Sequence, residues 1–206
     1  MIDNSRIDFD NQIRKDHNLE IISGSDEAGR GAMAGPVVVA TVILPSDYQN
    51  PLIKDSKKIN EVNRNKLYEE IIKIALDYKV EIFSAQQVDE LNPKRSSVLG
   101  MINSIKKLKI KPEISLIDGE KLTEDGINSI QLIKGDDKSQ TIAAASIIAK
   151  VTRDRMMIEY AKQFPNYDFD KHKGYCTKGH YQKLDENGIT EIHRISYKPV
   201  YERIKK

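Results

Sequence analysis

The stretch 19–44, LEIISGSDEAGRGAMAGPVVVATVIL, sets two apolar runs around a glycine-rich connection. LEIISGS reads as a strand that ends at DEAGRG. GPVVVATVIL reads as a second strand, because β-branched side chains suit a pleated, buried surface. The short connection makes the pair a hairpin. Downstream, EVNRNKLYEEIIKIALDY places Leu67, Ile71, Ile72 and Ala75 at helical spacing, and YKVEIFSA follows as a strand. Ser96 to Leu108 reads as another helix. ISLIDG and SIQLIKGD are short apolar runs that each end in Gly and Asp, the look of buried parallel strands whose carboxyl ends open onto a site. TIAAASIIAKVTRDRMMIEYAKQF reads as a long helix, and Ala143, Ala144 and Ala145 would let it lie close to a sheet. From Pro165 the chain turns loop-like and basic, with short helices expected at HYQKLDEN and PVYERIKK. A hairpin followed by alternating helices and strands gives an α/β class: a mixed sheet covered by helices, with a helical C-terminal appendage over about 165–206. Residues 1–18 read as a polar N-terminal extension, and 19–206 as a single domain.

Hydrophobic residues make up 39% and charged residues 31%, the balance of a globular chain, and no apolar run reaches membrane-spanning length. The polar N-terminus lacks the apolar core of a secretory signal, so a cytoplasmic location and no membrane partner are expected. Cys176 is the sole cysteine, which excludes an internal disulfide and a thiolate zinc cage; it reads as a small, semi-buried side chain. The net charge of +2 does not announce a nucleic-acid binder. Lysines nevertheless cluster at Lys54, Lys57 and Lys58, and again at Lys171, Lys173 and Lys178.

Acids that directly follow buried strands are costly unless exposed, paired or bound to metal. Asp26, Glu27, Asp118 and Asp136 all fall at such strand ends, where open α/β sheets gather functional residues. Gathered together, four carboxylates would repel each other and call for cations. Mg²⁺ prefers oxygen ligands, and two such ions about 4 Å apart would suit in-line phosphodiester hydrolysis. Any one of these acids is equally compatible with a turn or a helix cap. Adjacent Asp26 and Glu27 point to opposite faces of an ideal strand, so they can share a site only if the strand ends or twists there. GRGAMA formally fits a dinucleotide-binding fingerprint, but Pro36 and a β-branched strand follow where a helix is required. GSDEAGRG lacks the Lys and Ser/Thr of a P-loop. What remains is a loop with exposed backbone and Arg30 as a hydrogen-bond donor. Asp154 reads as a helix-surface acid pairing with Lys150 or Arg153. His172, His180 and His193 read as hydrogen-bonding or phosphate-facing side chains without ligand-like grouping.

In order along the chain, GSDEAGRGAMAGPVVVA, KDSKKI, IDG, KGDDKSQTIAAASIIAKVTRDRMM, KGYCTKGHY and HRISYKP closely resemble bacterial ribonuclease HII, over nearly all of the sequence after the first 18 residues. The resemblance implies a ribonuclease H-like fold with a five-stranded sheet, and a C-terminal helical part that helps to grip an RNA–DNA hybrid. It implies that Asp26, Glu27, Asp118 and Asp136 are catalytic ligands of Mg²⁺ or Mn²⁺, in a two-metal site. It also implies that Gly29, Arg30 and Gly31 contact the ribonucleotide 2′-hydroxyl and adjacent phosphate, and that Tyr175 stacks at the junction with DNA. By resemblance and charge, Lys57, Lys58 and Lys178 look like phosphate ligands. The implied activity is hydrolysis of RNA in hybrids and cleavage 5′ of ribonucleotides embedded in duplex DNA, by a monomer. Two rivals share the features so far: a metal-dependent DNA nuclease of the same fold, against which the GRG loop argues, and a non-catalytic hybrid-binding module, which would be expected to have lost carboxylates.

Overall fold

The structure is a computed structural model and describes residues 3–204. Helix α1 (Ser5–His17) precedes the hairpin of β1 (Ile22–Ala28) and β2 (Val37–Ile43). Then come α2 (Glu61–Ile74), β3 (Asp77–Phe83), α3 (Ala85–Leu91), α4 (Pro93–Lys107), β4 (Ile114–Asp118) and β5 (Ser129–Leu132). The short α5 (Gly135–Lys138) leads into the long α6 (Gln140–Gln163), followed by α7 (Phe169–His172), α8 (Lys178–Asn187) and α9 (Lys198–Ile204).

The five strands lie in the order β3-β2-β1-β4-β5. β1 pairs antiparallel with β2, and β2 antiparallel with β3, whereas β1–β4 and β4–β5 are parallel. The sheet is therefore mixed, as expected, and it changes character at β1. β2 is buried along its whole length, which explains its unbroken β-branched run. Val38, Ala40 and Val42 pack against α2 and α6, while Val37 and Val39 pack against α4 with Phe83, Met101 and Ile117.

Helix α6 lies across β1 and β2. Its residues from Gln140 to Ala149 are all buried, so no polar face survives there to mark the period. A side chain at Gly24 would stand 2.4 Å from the carbonyl carbon of Thr141, so only glycine permits the first turn of α6 to sit on β1. Ser139 caps that helix by accepting from the Ile142 N–H.

Two expectations change. The segment expected as a polar extension contains α1, which buries Arg6, Ile7 and Asp10. Asp10 Oδ2 accepts from the Thr141 N–H (2.8 Å) and hydroxyl (2.7 Å), and Arg6 Nε donates to the Ile53 carbonyl (3.1 Å). Ile7 is buried, and Phe9 and Ile13 pack against Ile22, Ile114 and Leu116, so these polar bonds supplement an apolar contact carried by few residues in a mostly charged helix. Secondly, helix α2 stops at Ile74, short of Tyr78, where β3 has already begun.

Candidate active site

Strand β1 does not end at Asp26. It stays in the ladder through Ala28, with Asp26 opposite Ala40 and Glu27 opposite Val39. The two carboxylates consequently leave the sheet on opposite faces. Asp26 is buried and hydrogen-bonds Ser146 of α6, whose hydroxyl lies 2.9 Å from that of Ser56. Glu27 lies toward Arg30. Asp118 joins the two: it is the last residue of β4, one step beyond the Ser25–Ile117 pair, and interacts with both Asp26 and Glu27. Its Oδ1 accepts from the Gly135 N–H, which brings the first turn of α5, and hence Asp136, to the same strand end.

Burial and mutual repulsion raise the proton affinity of all four. Asp26 is held well above the usual carboxylate range by desolvation, then by Glu27 and Asp118. Glu27 is pushed up to about 7, chiefly by desolvation, against the opposing pull of Arg30. Asp136 rises to about 6 through desolvation, Asp55 and Asp118, and Asp118 rises mainly through desolvation. Lys57 stands among them; desolvation pulls its ammonium down, but Asp55, Asp26 and Asp136 outweigh it and hold it protonated. Crowded oxygen donors of this kind suit a hard divalent cation. Among the described residues no three carboxylate, imidazole or thiolate side chains are grouped tightly enough to enclose an ion unaided. Mg²⁺ accepts such an arrangement, since it is commonly held by one or two carboxylates, water and substrate phosphate oxygens.

A cavity of about 320 Å³ adjoins the carboxylates, lined by Glu27, Gly29, Arg30, Gly31, Lys57 and Tyr175 together with Ser56, Ser146 and Lys150. Two buried arginines, neither in an ion pair among the described residues, brace the loops that line it. Arg153 donates to the carbonyls of Pro36 (2.8 Å), Ala34 (3.0 Å) and Lys173 (2.9 Å), and its guanidinium lies 5.0 Å from the Tyr175 ring centroid. Arg194 donates to the carbonyls of Gly35 and Arg30, and the Tyr197 hydroxyl donates to the Arg30 carbonyl as well. The glycine loop and the Tyr175 loop are thus tied into one surface. Lys58 instead pairs with Asp137, and Lys178 is an exposed residue opening α8 outside the cavity lining.

Three participants escaped the sequence reading. Glu120 accepts from Arg30 at 2.6 Å, Asp55 presses on Asp118 and Asp136, and Ser146 orients Asp26. Asp154 is buried rather than on the surface, paired with Lys150 (2.6 Å) and Arg64 (3.8 Å), and Arg153 gives it no ion pair. His172, His180 and His193 converge around Phe169 despite their sequence separation, with His172 stacked on His180 at 4.0 Å and 3.1 Å between the Nε2 atoms of His180 and His193. Their other nitrogens meet backbone groups, at Tyr167, Tyr175 and Thr190. Cys176 is exposed, not semi-buried.

The family model described as Ribonuclease HII matches residues 23–200. A Ribonuclease HII of Mycoplasma mycoides subsp. mycoides SC is 57% identical over 197 residues, 95% of each chain. Among solved structures, the ribonuclease H2 of Pyrococcus horikoshii OT3 superposes with a TM-score of 0.74 at 26% identity, covering 90% of this chain and 97% of that one. The structure of Bst-RNase HIII in complex with Mn²⁺ shares the fold at 18% identity, with a TM-score of 0.67 over 92% of this chain and 71% of that one. With its mixed sheet, its acidic strand ends and this match over most of its length, the chain belongs to the ribonuclease HII family, a family of nucleases.

Proposed function

We propose that the chain hydrolyses the RNA strand of RNA–DNA hybrids and cuts on the 5′ side of ribonucleotides embedded in duplex DNA, leaving 3′-hydroxyl and 5′-phosphate ends. The observation that carries this reading is that Asp26, Glu27, Asp118 and Asp136 interact electrostatically at adjoining strand ends, while Glu27 also lines a cavity with Gly29, Arg30, Gly31 and Tyr175. Asp26, Glu27, Asp118 and Asp136 would hold two Mg²⁺ or Mn²⁺ ions; the related Bst-RNase HIII has been solved in complex with Mn²⁺. Bound there, the ions would lower the pKa of the attacking water and stabilise charge on the leaving oxygen.

The chain's own residues do the rest. Ser146 fixes the Asp26 carboxylate, and Gly135 fixes that of Asp118. Lys57 neutralises part of the cluster and presents a cation to the scissile phosphate. Arg30 and the amides of Gly29 and Gly31 bind the ribose 2′-hydroxyl, the group that distinguishes RNA from DNA. Tyr175, backed by Arg153, offers a flat face to the sugar beyond it. Lys58 and Lys178 contact backbone phosphates, which positions the duplex without reading its sequence. No described helix is long and apolar enough to cross a membrane. We place the chain in the cytoplasm as a monomer in which residues 19–206 act as one catalytic domain.

The test is a labelled DNA duplex with one internal ribonucleotide, incubated with Mg²⁺ or Mn²⁺. A nick 5′ of the ribonucleotide, with an all-DNA duplex left whole, is the expected result; an uncut ribonucleotide duplex or equal cutting of both refutes the reading. Asp118→Asn should lower turnover by about 100-fold or more while hybrid binding, read by fluorescence anisotropy, stays within a few-fold of the parent.

A further inference from the structure

Arg30 faces two acids. Its Nη1 lies 2.6 Å from Glu120 Oε1 and 3.7 Å from Glu27 Oε1. Its backbone is not free to choose between them, since Arg194 and Tyr197 both bind its carbonyl. Glu120 is equally fixed. It follows the turn at Gly119, where φ is +68°, and its N–H donates to the Asp118 carbonyl at 2.7 Å. Gln131 holds the Gly119 carbonyl at 2.8 Å, and Gly119 N–H bonds the Leu132 carbonyl at 2.9 Å. The second oxygen of Glu120 lies 3.6 Å from Lys94. The Glu120 carboxylate is largely buried, whereas the Arg30 side chain is 38% exposed at the cavity mouth. A fixed acid therefore captures a movable guanidinium that would otherwise close about one ångström further onto Glu27.

We propose that Glu120 is a positioning residue that holds the Arg30 guanidinium off Glu27, so that Glu27 keeps a carboxylate free to ligate a divalent cation. The inference rests on the functional reading above, in which Glu27 is a metal ligand. An arginine fork on a carboxylate occupies the lone pairs that a metal needs. Without Glu120, Arg30 becomes an internal competitor for the site. With it, the same guanidinium stays beside Glu27 yet turned toward the cavity, where the ribonucleotide binds. Glu120 touches neither substrate nor metal in this account and acts only through Arg30.

The experiment is Mn²⁺ binding to the full chain by titration calorimetry, without nucleic acid, for the wild type, Glu120→Gln, Arg30→Ala and the double variant. Glu120→Gln is expected to weaken Mn²⁺ binding about fivefold in the Arg30 background, about 1 kcal/mol. In the Arg30→Ala background the same substitution is expected to change it less than twofold. Equal weakening in both backgrounds would mean that Glu120 acts by its own charge, and no weakening with Arg30 present would mean that it does not restrain the guanidinium; either overturns the proposal. A wild type that binds no Mn²⁺ would overturn the functional reading itself. Should Glu120→Gln fail to fold by circular dichroism, Glu120→Ala supplies the same cycle.

Discussion

Gly29 and Gly31 flank Arg30 in one short motif, yet the structure asks different things of them. Gly29 has φ +90°, and a side chain there would stand 1.9 Å from Arg153 Nε and 2.6 Å from the Pro36 carbonyl. Gly31 is exposed, with nothing within 4 Å of where a side chain would be. Gly29→Ala should therefore displace the buried guanidinium that ties the glycine loop to the Tyr175 loop, costing roughly 2 kcal/mol or more by chemical denaturation. Gly31→Ala should leave stability within about 0.5 kcal/mol and act on substrate instead, raising KM for a single-ribonucleotide duplex. Equal unfolding midpoints for the two variants would contradict this account. The four carboxylates could be singled out as candidates because each follows an apolar run closely. Glu120 lies two positions past such a run and was not singled out, and its partner Arg30 is ninety residues away along the chain. The histidines were read correctly as hydrogen-bonding side chains, but not their convergence, which exists only once α7, α8 and the segment after α8 fold together.

Among elements, those with strong apolar patterning were read correctly: the hairpin, the two parallel strands and α6. Of the short helices, α8 and α9 were anticipated at HYQKLDEN and PVYERIKK, whereas α3, α5 and α7 were not. The helix α3 carries a capping box between Ser84 and Gln87, but its seven residues follow directly from a strand. Helices α5 and α7 span four residues each and begin after residues with positive φ, Lys134 and Asp168, which local preference does not favour. Helix α1 is the instructive case, because a buried carboxylate docks it together with the few apolar side chains Ile7, Phe9 and Ile13. Asp10 places two hydrogen bonds on Thr141 in the first turn of α6, where the helix dipole also favours negative charge. Asp10→Ala is expected to leave the Thr141 amide unpaired and to cost about 1–3 kcal/mol. Proteolysis of the variant should then cut within α1 before it cuts the sheet. A variant as resistant as the parent would show that Arg6 and Ile7 suffice to hold the helix.

At the scale of the whole molecule, two buried titrating groups pull stability in opposite directions with pH. Burial depresses His180 to about 3 and His193 to about 4, below the ordinary histidine value of 6.5. Their contribution is present above pH 6.5 and is lost as pH falls toward those values, by about 2 kcal/mol per histidine at pH 5. Loss of His180 also releases the Tyr175 carbonyl. The carboxylates run the other way. Glu27 at about 7 and Asp136 at about 6 lie above their unfolded values, so the folded chain binds more protons than the unfolded one and loses stability as pH rises through that range. Divalent cations held by these carboxylates, as proposed, would compete with those protons. The stabilisation conferred by Mg²⁺, read as the difference in thermal midpoint with and without EDTA, should therefore be largest near pH 8 and shrink toward pH 5. With Mg²⁺ present the carboxylate penalty is offset and the histidines dominate, so acidification from pH 7 to 5 should lower the midpoint. His193→Gln should flatten that decline by removing one titrating ring from the buried cluster. A Mg²⁺ effect that does not change with pH would show that the carboxylates reach the unfolded state with the proton affinity they have in the fold.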